Sequence, residues 1–142
     1  MFADLSILFC DISLIDYFSY STLFFLFAIV APSVSVRNVT YEQDDVNRKV
    51  ACFSIGNPSI YTYHKWQHKS KYGVLIRELD GEQGGVLTLP GIPVENRYQD
   101  SGEYICTVGN SIADRDGNVK QTGSGYIIIN GMQKRQDLVM SI

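Results

Sequence analysis

The densest run of chemically capable side chains is YQDSGEYICTVGN, Tyr98 to Asn110, with two carboxylates, a serine, a cysteine and two tyrosines. Nucleophilic catalysis would need the serine or cysteine beside a base and an orienting acid, and no GxSxG-type turn is present. The only histidines are His64 and His68. Four residues apart on a strand they share a face, but they stand about 13 Å apart, too far to hold one metal ion. DRDGN (Asp114 to Asn118) has the carboxylates of a calcium loop, yet its glycine falls at the fourth position instead of the sixth and no Glu closes it. A hairpin turn is the expectation there. These residues predict no enzyme, no catalytic residue, no metal and no cofactor.

What must position them is one domain, because 142 residues suffice for one hydrophobic core and are too few for two ordinary ones. Tyr17 to Val36 carries no charge, and LFFLFAIVA (Leu23 to Ala31) is unbroken apolar sequence followed by small residues. Residues 1–33 are therefore expected to be a secretory signal peptide, cleaved after Ser33 or Ser35. The acidic Asp4, Asp11 and Asp16 at its front depart from the usual basic start. The alternative is an uncleaved signal anchor, since 20 uncharged residues (36 − 16) are about enough to cross a bilayer. Without a polar face the stretch does not suit a core helix.

Beyond this leader the charge balances. Of the 15 acidic residues three lie in the leader, leaving 12 against 12 Lys and Arg. A neutral domain without a basic cluster gives no electrostatic case for nucleic acid.

From residue 34 the chain reads as β. VACFSI, IYTYHKW, YGVLIREL, GVLTLP, GEYICTV and GYIIIN are rich in β-branched and aromatic residues, and GNPS, LDGEQGG, ADRDGN and QTGSG separate them as turns. Strands this short and this evenly spaced predict an all-β sandwich or barrel. With Cys10 in the leader, Cys52 and Cys106 remain as an even pair, expected to form a disulfide in an oxidising compartment. Closing so long a loop stabilises by about 4 kcal/mol in the chain-entropy description.

Trp66 follows Cys52 by 14 residues, and Asp100, Gly102, Tyr104 and Cys106 form DxGxYxC. In that order these residues resemble the immunoglobulin superfamily, over about Val34 to Asn130, in its intermediate or constant-2 type. The resemblance implies an immunoglobulin-like β-sandwich of two antiparallel sheets over residues 34–130, with residues 131–142 as a C-terminal tail. It implies that Trp66 packs on the Cys52–Cys106 bridge, that the Tyr104 hydroxyl bonds a backbone group upstream, and that Gly102 supplies a tight bend. Asp100 would cap local donors and pair with an arginine, Arg77 or Arg97.

Strand alternation then assigns a binding face. With His64 and Trp66 inward, Tyr61, Tyr63, Lys65 and Gln67 face outward; with Tyr104 and Cys106 inward, so do Glu103, Ile105 and Thr107. The last strand adds either Ile127 and Ile129 or Tyr126 and Ile128. Apolar side chains grouped on a solvent side mark interfaces. The expectation is an extracellular, secreted or membrane-anchored adhesion or recognition module contacting a protein partner, with a second copy of the chain as one candidate; any membrane contact runs through the leader. The alternative is a structural immunoglobulin-like domain of a larger matrix, receptor or muscle-type chain. NVT (Asn38 to Thr40) is an N-glycosylation sequon, and Asn57 is excluded because Pro58 follows it.

Overall fold

The computed structural model describes residues 28–131. The expectations for residues 1–27 and for nearly all of the tail lie outside them. Nine strands follow in order: β1 (Val30–Val36), β2 (Val39–Glu42), β3 (Lys49–Asn57), β4 (Thr62–Tyr63), β5 (Trp66–Lys69), β6 (Leu75–Leu79), β7 (Val86–Thr88), β8 (Gly102–Gly109) and β9 (Gln121–Asn130). A 3-10 helix, Val94–Asp100, links β7 to β8. Among the described residues no helix is long and apolar enough to cross a membrane.

Two sheets form. One has the order β1-β3-β7, the other β2-β9-β8-β5-β6, with β4 also on β8. All pairs are antiparallel except β2 with β9, which runs parallel in the register Val39↔Ile127 to Glu42↔Asn130. The chain thus leaves one sheet at Val36 and joins the other at Val39. Among the described residues no strand lies between β6 and β7, so the β1-β3-β7 sheet has three strands where the constant-type sandwich has four.

The core lies between the sheets and follows from alternation. Val50 and Cys52 on β3, Leu87 on β7, Tyr104, Cys106 and Val108 on β8, and Ile127 and Ile129 on β9 are all buried, with Trp66 among them. Cys52 and Cys106 form the disulfide, with their Cα atoms 6.2 Å apart, within the ordinary span of such bridges.

Two segments behave differently from their sequence reading. QTGSG, expected as a turn, is the first half of β9. A Cβ on Gly123 would sit 2.6 Å from Val34 O and one on Gly125 2.8 Å from Val36 O, so bare backbone here lets β1 press against β9. The second difference is the domain start. β1 begins at Val30, ahead of the expected residue 34, and Pro32 is buried. Asn110 Nδ2 donates to Val30 O at 2.8 Å and Asn57 Nδ2 to Ala28 O at 2.9 Å. A cut after Ser33 or Ser35 would sever this strand. The small residues that suit a cleavage site also suit a strand lying close against its neighbours, and local sequence does not separate the two.

Candidate functional site: the outer sheet face and the polar cluster behind it

The DxGxYxC residues face inward and are satisfied there. Tyr104 Oη donates to Asp100 O at 2.6 Å, closing the turn that leads into β8. The Asp100 carboxylate is fully buried and held from two sides: Arg48 Nε donates to Oδ2 and Arg77 Nη2 to Oδ1, each at 2.8 Å. Of the two expected arginines only Arg77 is a partner. Arg97 instead donates to the carbonyls of Ile92, Gln43 and Asp45. Arg48 is the residue that sequence reasoning missed, although alternation with Val50 and Cys52 places it on the inward face of the chain entering β3. It also donates to the carbonyls of Asp45, Val46 and Pro90, tying two loop segments to one guanidinium.

His68 completes the cluster. Its ring stacks on Tyr104 with centroids 4.3 Å apart and planes 11° from parallel. Arg77 Nε donates to its Nδ1 at 3.1 Å, which leaves the proton on Nε2, 3.0 Å from Ser101 O. Burial lowers its pKa, and the Arg77 charge adds to that against the opposing pull of the Ser101 carbonyl and Asp100. Burial likewise pushes the Tyr104 phenol up. Gly102, at φ +146°, lies directly beside this ring: a Cβ there would stand 2.7 Å from His68 Nε2. Its bend is needed, and so is its lack of a side chain. No group that could hold a metal ion exists among the described residues.

The outer face differs from its sequence reading in one respect. Tyr63 pairs with Val108, whereas Gln67 pairs with Ile105. Four residue steps on one strand thus oppose three on the other, a bulge between β4 and β5 that inverts the alternation. Residues directly opposite share a face, so Tyr63 turns inward with the buried Val108. Tyr61 and Tyr63 are therefore not surface contacts; both pack against the core. Tyr61 Oη accepts the Gly56 N–H at 2.8 Å, and the Tyr63 ring is the nearest side chain to Gly85. Lys65 lies in the bulge and is exposed, and His64, expected inward, is half-buried.

Glu103, Ile105 and Thr107 do lie on the outer face, half-buried by their neighbours. The registers place them in rows: Tyr126–Glu103–Lys69–Leu75, Ser124–Ile105–Gln67–Glu78 and Thr122–Thr107. On β9 it is Tyr126 and Ile128 that face solvent, 45% and 51% exposed, while Ile127 and Ile129 are core. The face thus carries apolar groups toward both sides, Tyr126 and Ile128 on β9 next to the edge strand β2 and Leu75 and Ile76 on the edge strand β6, with Ile105 and a band of polar side chains between them.

A buried tryptophan in the same core as an inter-sheet disulfide occurs together with a tyrosine hydroxyl closing the turn before the second cysteine. The fold is immunoglobulin-like. No protein-family model matches the chain, and no curated protein matches it. Among solved structures it is similar to the M1 domain from titin, at 17% identity and a TM-score of 0.47 over 73% of this chain and 96% of that one. It is also similar to the Sidekick-1 immunoglobulin domains 1-4, at 17% identity and a TM-score of 0.45 over 71% of this chain and 24% of that one.

In this immunoglobulin-like domain the loop from β8 to β9 is a structured hairpin. The Asp114 carboxylate accepts the N–H groups of Asp116 and Asn118 at 3.0 and 2.8 Å, and the Asn118 bond foremost holds its pKa below the usual range. Its oxygens serve the turn, as expected for DRDGN. Asn110 anchors the loop base by donating to Val30 O and Pro58 O.

Proposed function

We propose that this immunoglobulin-like domain is an extracellular, non-catalytic recognition module that binds a protein partner through the outer face of its six-stranded sheet. The observation that carries the reading is the division of labour across that sheet. Asp100, Tyr104 and Cys106 of the DxGxYxC stretch are turned inward and bonded, whereas the outer face presents Tyr126, Ile128 and Leu75 to solvent with the half-buried Ile105 between them. The hairpin from Asn110 to Lys120 extends that surface at one end. The Cys52–Cys106 bridge supports an oxidising compartment. Fluorescent tetramers of the domain, applied to a panel of cells and to beads coated with the same domain, test the reading. Ile105→Ser with Leu75→Ser, on β8 and β6, should keep the thermal midpoint and lower binding at least tenfold. Equal binding by the variant refutes the face.

A second reading, a structural domain of a longer multi-domain chain, is favoured by β1. Residues 28–33, within the expected leader, are bonded into the sandwich. Mass spectrometry of the N-terminus from secreting cells separates the two readings: processing at or before Ala28 supports the secreted module, and an unprocessed chain supports the longer assembly.

A further inference from the structure

The sequon Asn38–Thr40 lies where the chain passes from β1 to β2. The parallel register sets Thr40 beside Ile128. Asn38, two residues earlier, falls on the same outer face beside Tyr126, and its Oδ1 accepts the Tyr126 N–H at 2.9 Å. That bond fixes the carboxamide by its oxygen. Nδ2, the atom a sugar would take, makes no hydrogen bond among the described residues, and both Asn38 and Thr40 are exposed. The acceptor nitrogen and the hydroxyl it needs therefore share one open surface, and that surface is the β2–β9 side of the candidate binding face.

We propose that Asn38 carries an N-linked glycan that masks Tyr126 and Ile128, closing the β9 half of the outer face and leaving protein docking to the β5, β6 and β8 half. The inference rests on the extracellular reading above, because the donor is a polyisoprenyl-pyrophosphate oligosaccharide of the secretory lumen. Nδ2 attacks the anomeric carbon, the C–N bond forms as the C–O bond to pyrophosphate breaks, and the amide gives up one proton as the lipid pyrophosphate leaves. Geometry sets the extent of the cover. Adjacent strands lie about 4.8 Å apart, so Tyr126 and Ile128 sit within one strand spacing of the sequon and Ile105 within about two. The first sugars lie over the β9 side chains, and Leu75 and Ile76 at the far margin remain clear.

The experiment expresses the full chain in secreting eukaryotic cells and reads two quantities by mass spectrometry: the mass at Asn38, and the hydroxyl-radical labelling rate of Tyr126 relative to the exposed Tyr72. Thr40→Val removes the sequon while leaving Asn38 and its bond to Tyr126 in place, and Thr40→Ser retains the sequon. Expected are a glycan on the wild type and on Thr40→Ser, none on Thr40→Val, and Tyr126 labelling at least fivefold slower in the glycosylated forms. A secreted chain with bare Asn38, or a glycosylated one whose Tyr126 labels as fast as Thr40→Val, overturns this inference alone. A cytosolic chain with bare Asn38 overturns the extracellular reading with it.

Discussion

Asp100→Asn is the sharpest probe of the inward-facing cluster. The substitution keeps volume and shape and leaves the Asp100 carbonyl free to accept from Tyr104, but it removes the one negative charge held between Arg48 and Arg77. One amide oxygen can still accept from a guanidinium, while the amide NH2 must face the other, donor against donor. Asp100 and Arg48 are both essentially inaccessible, so solvent does not screen the loss. Breaking a buried pair by removing one partner costs about 3–5 kcal/mol, comparable with the whole contribution of the disulfide and a large share of the 5–15 kcal/mol typical of a domain. Arg48→Met should cost a similar amount, because it leaves Asp100 half-paired and three carbonyls without their donor. Arg77→Met should cost less, since its side chain is 30% exposed and water takes over part of its role. Urea denaturation followed by the fluorescence of Trp66, the only tryptophan, reads all three. An Asp100→Asn protein within about 1 kcal/mol of wild type, or an Arg77 variant less stable than the Arg48 variant, would refute the assignment.

The folded-state pKa of His68 is lowered, so the unfolded chain binds the extra proton first; stability should be full above about pH 6.5 and fall as pH drops below it, by no more than about 1.4 kcal/mol per pH unit for one proton. His68→Gln should flatten that slope in denaturation series from pH 7 to 5, and an unchanged slope assigns it elsewhere. Gly102→Ala should destabilise by about 1–3 kcal/mol from its backbone conformation, with more from contact with the His68 ring; calorimetry of the thermal midpoint checks this, and no shift would remove the close-approach argument. A chain begun at Val34 should be less stable than one begun at Ala28 by at least about 2 kcal/mol, for two lost side-chain hydrogen bonds at about 1 kcal/mol each; equal urea midpoints would return the domain boundary to residue 34.

What was legible in the sequence is what chemistry fixes locally. A cysteine pair, a tryptophan 14 residues after the first cysteine and DxGxYxC specify a sandwich and the inward course of β8, and each of these residues lies where that pattern puts it. Tyr61 and Tyr63 went astray because their direction depends on one extra residue opposite β8. A bulge is a property of two paired strands and leaves no mark on either alone. Arg48 could be read by counting back from Cys52, but its partner arrives 52 residues later, and nothing local ranks it above Arg97. In QTGSG the glycines signal a turn by composition and serve a strand by absence of bulk. On β8 the outward direction of Glu103, Ile105 and Thr107 follows from sequence because alternation with the buried Tyr104, Cys106 and Val108 is regular from Glu103 to Val108.

The parallel pairing of β2 with β9 also governs how the domain would bear a load. Tension applied to the chain ahead of β2 and beyond β9 draws the two strands in opposite directions along their common axis. The bonds from Val39↔Ile127 to Glu42↔Asn130 then lie across the force and must give way together, in shear. A hairpin pulled from its open end would instead unzip one bond at a time. Pulled at those two points, the sandwich therefore meets the load with the whole β2–β9 row of bonds at once.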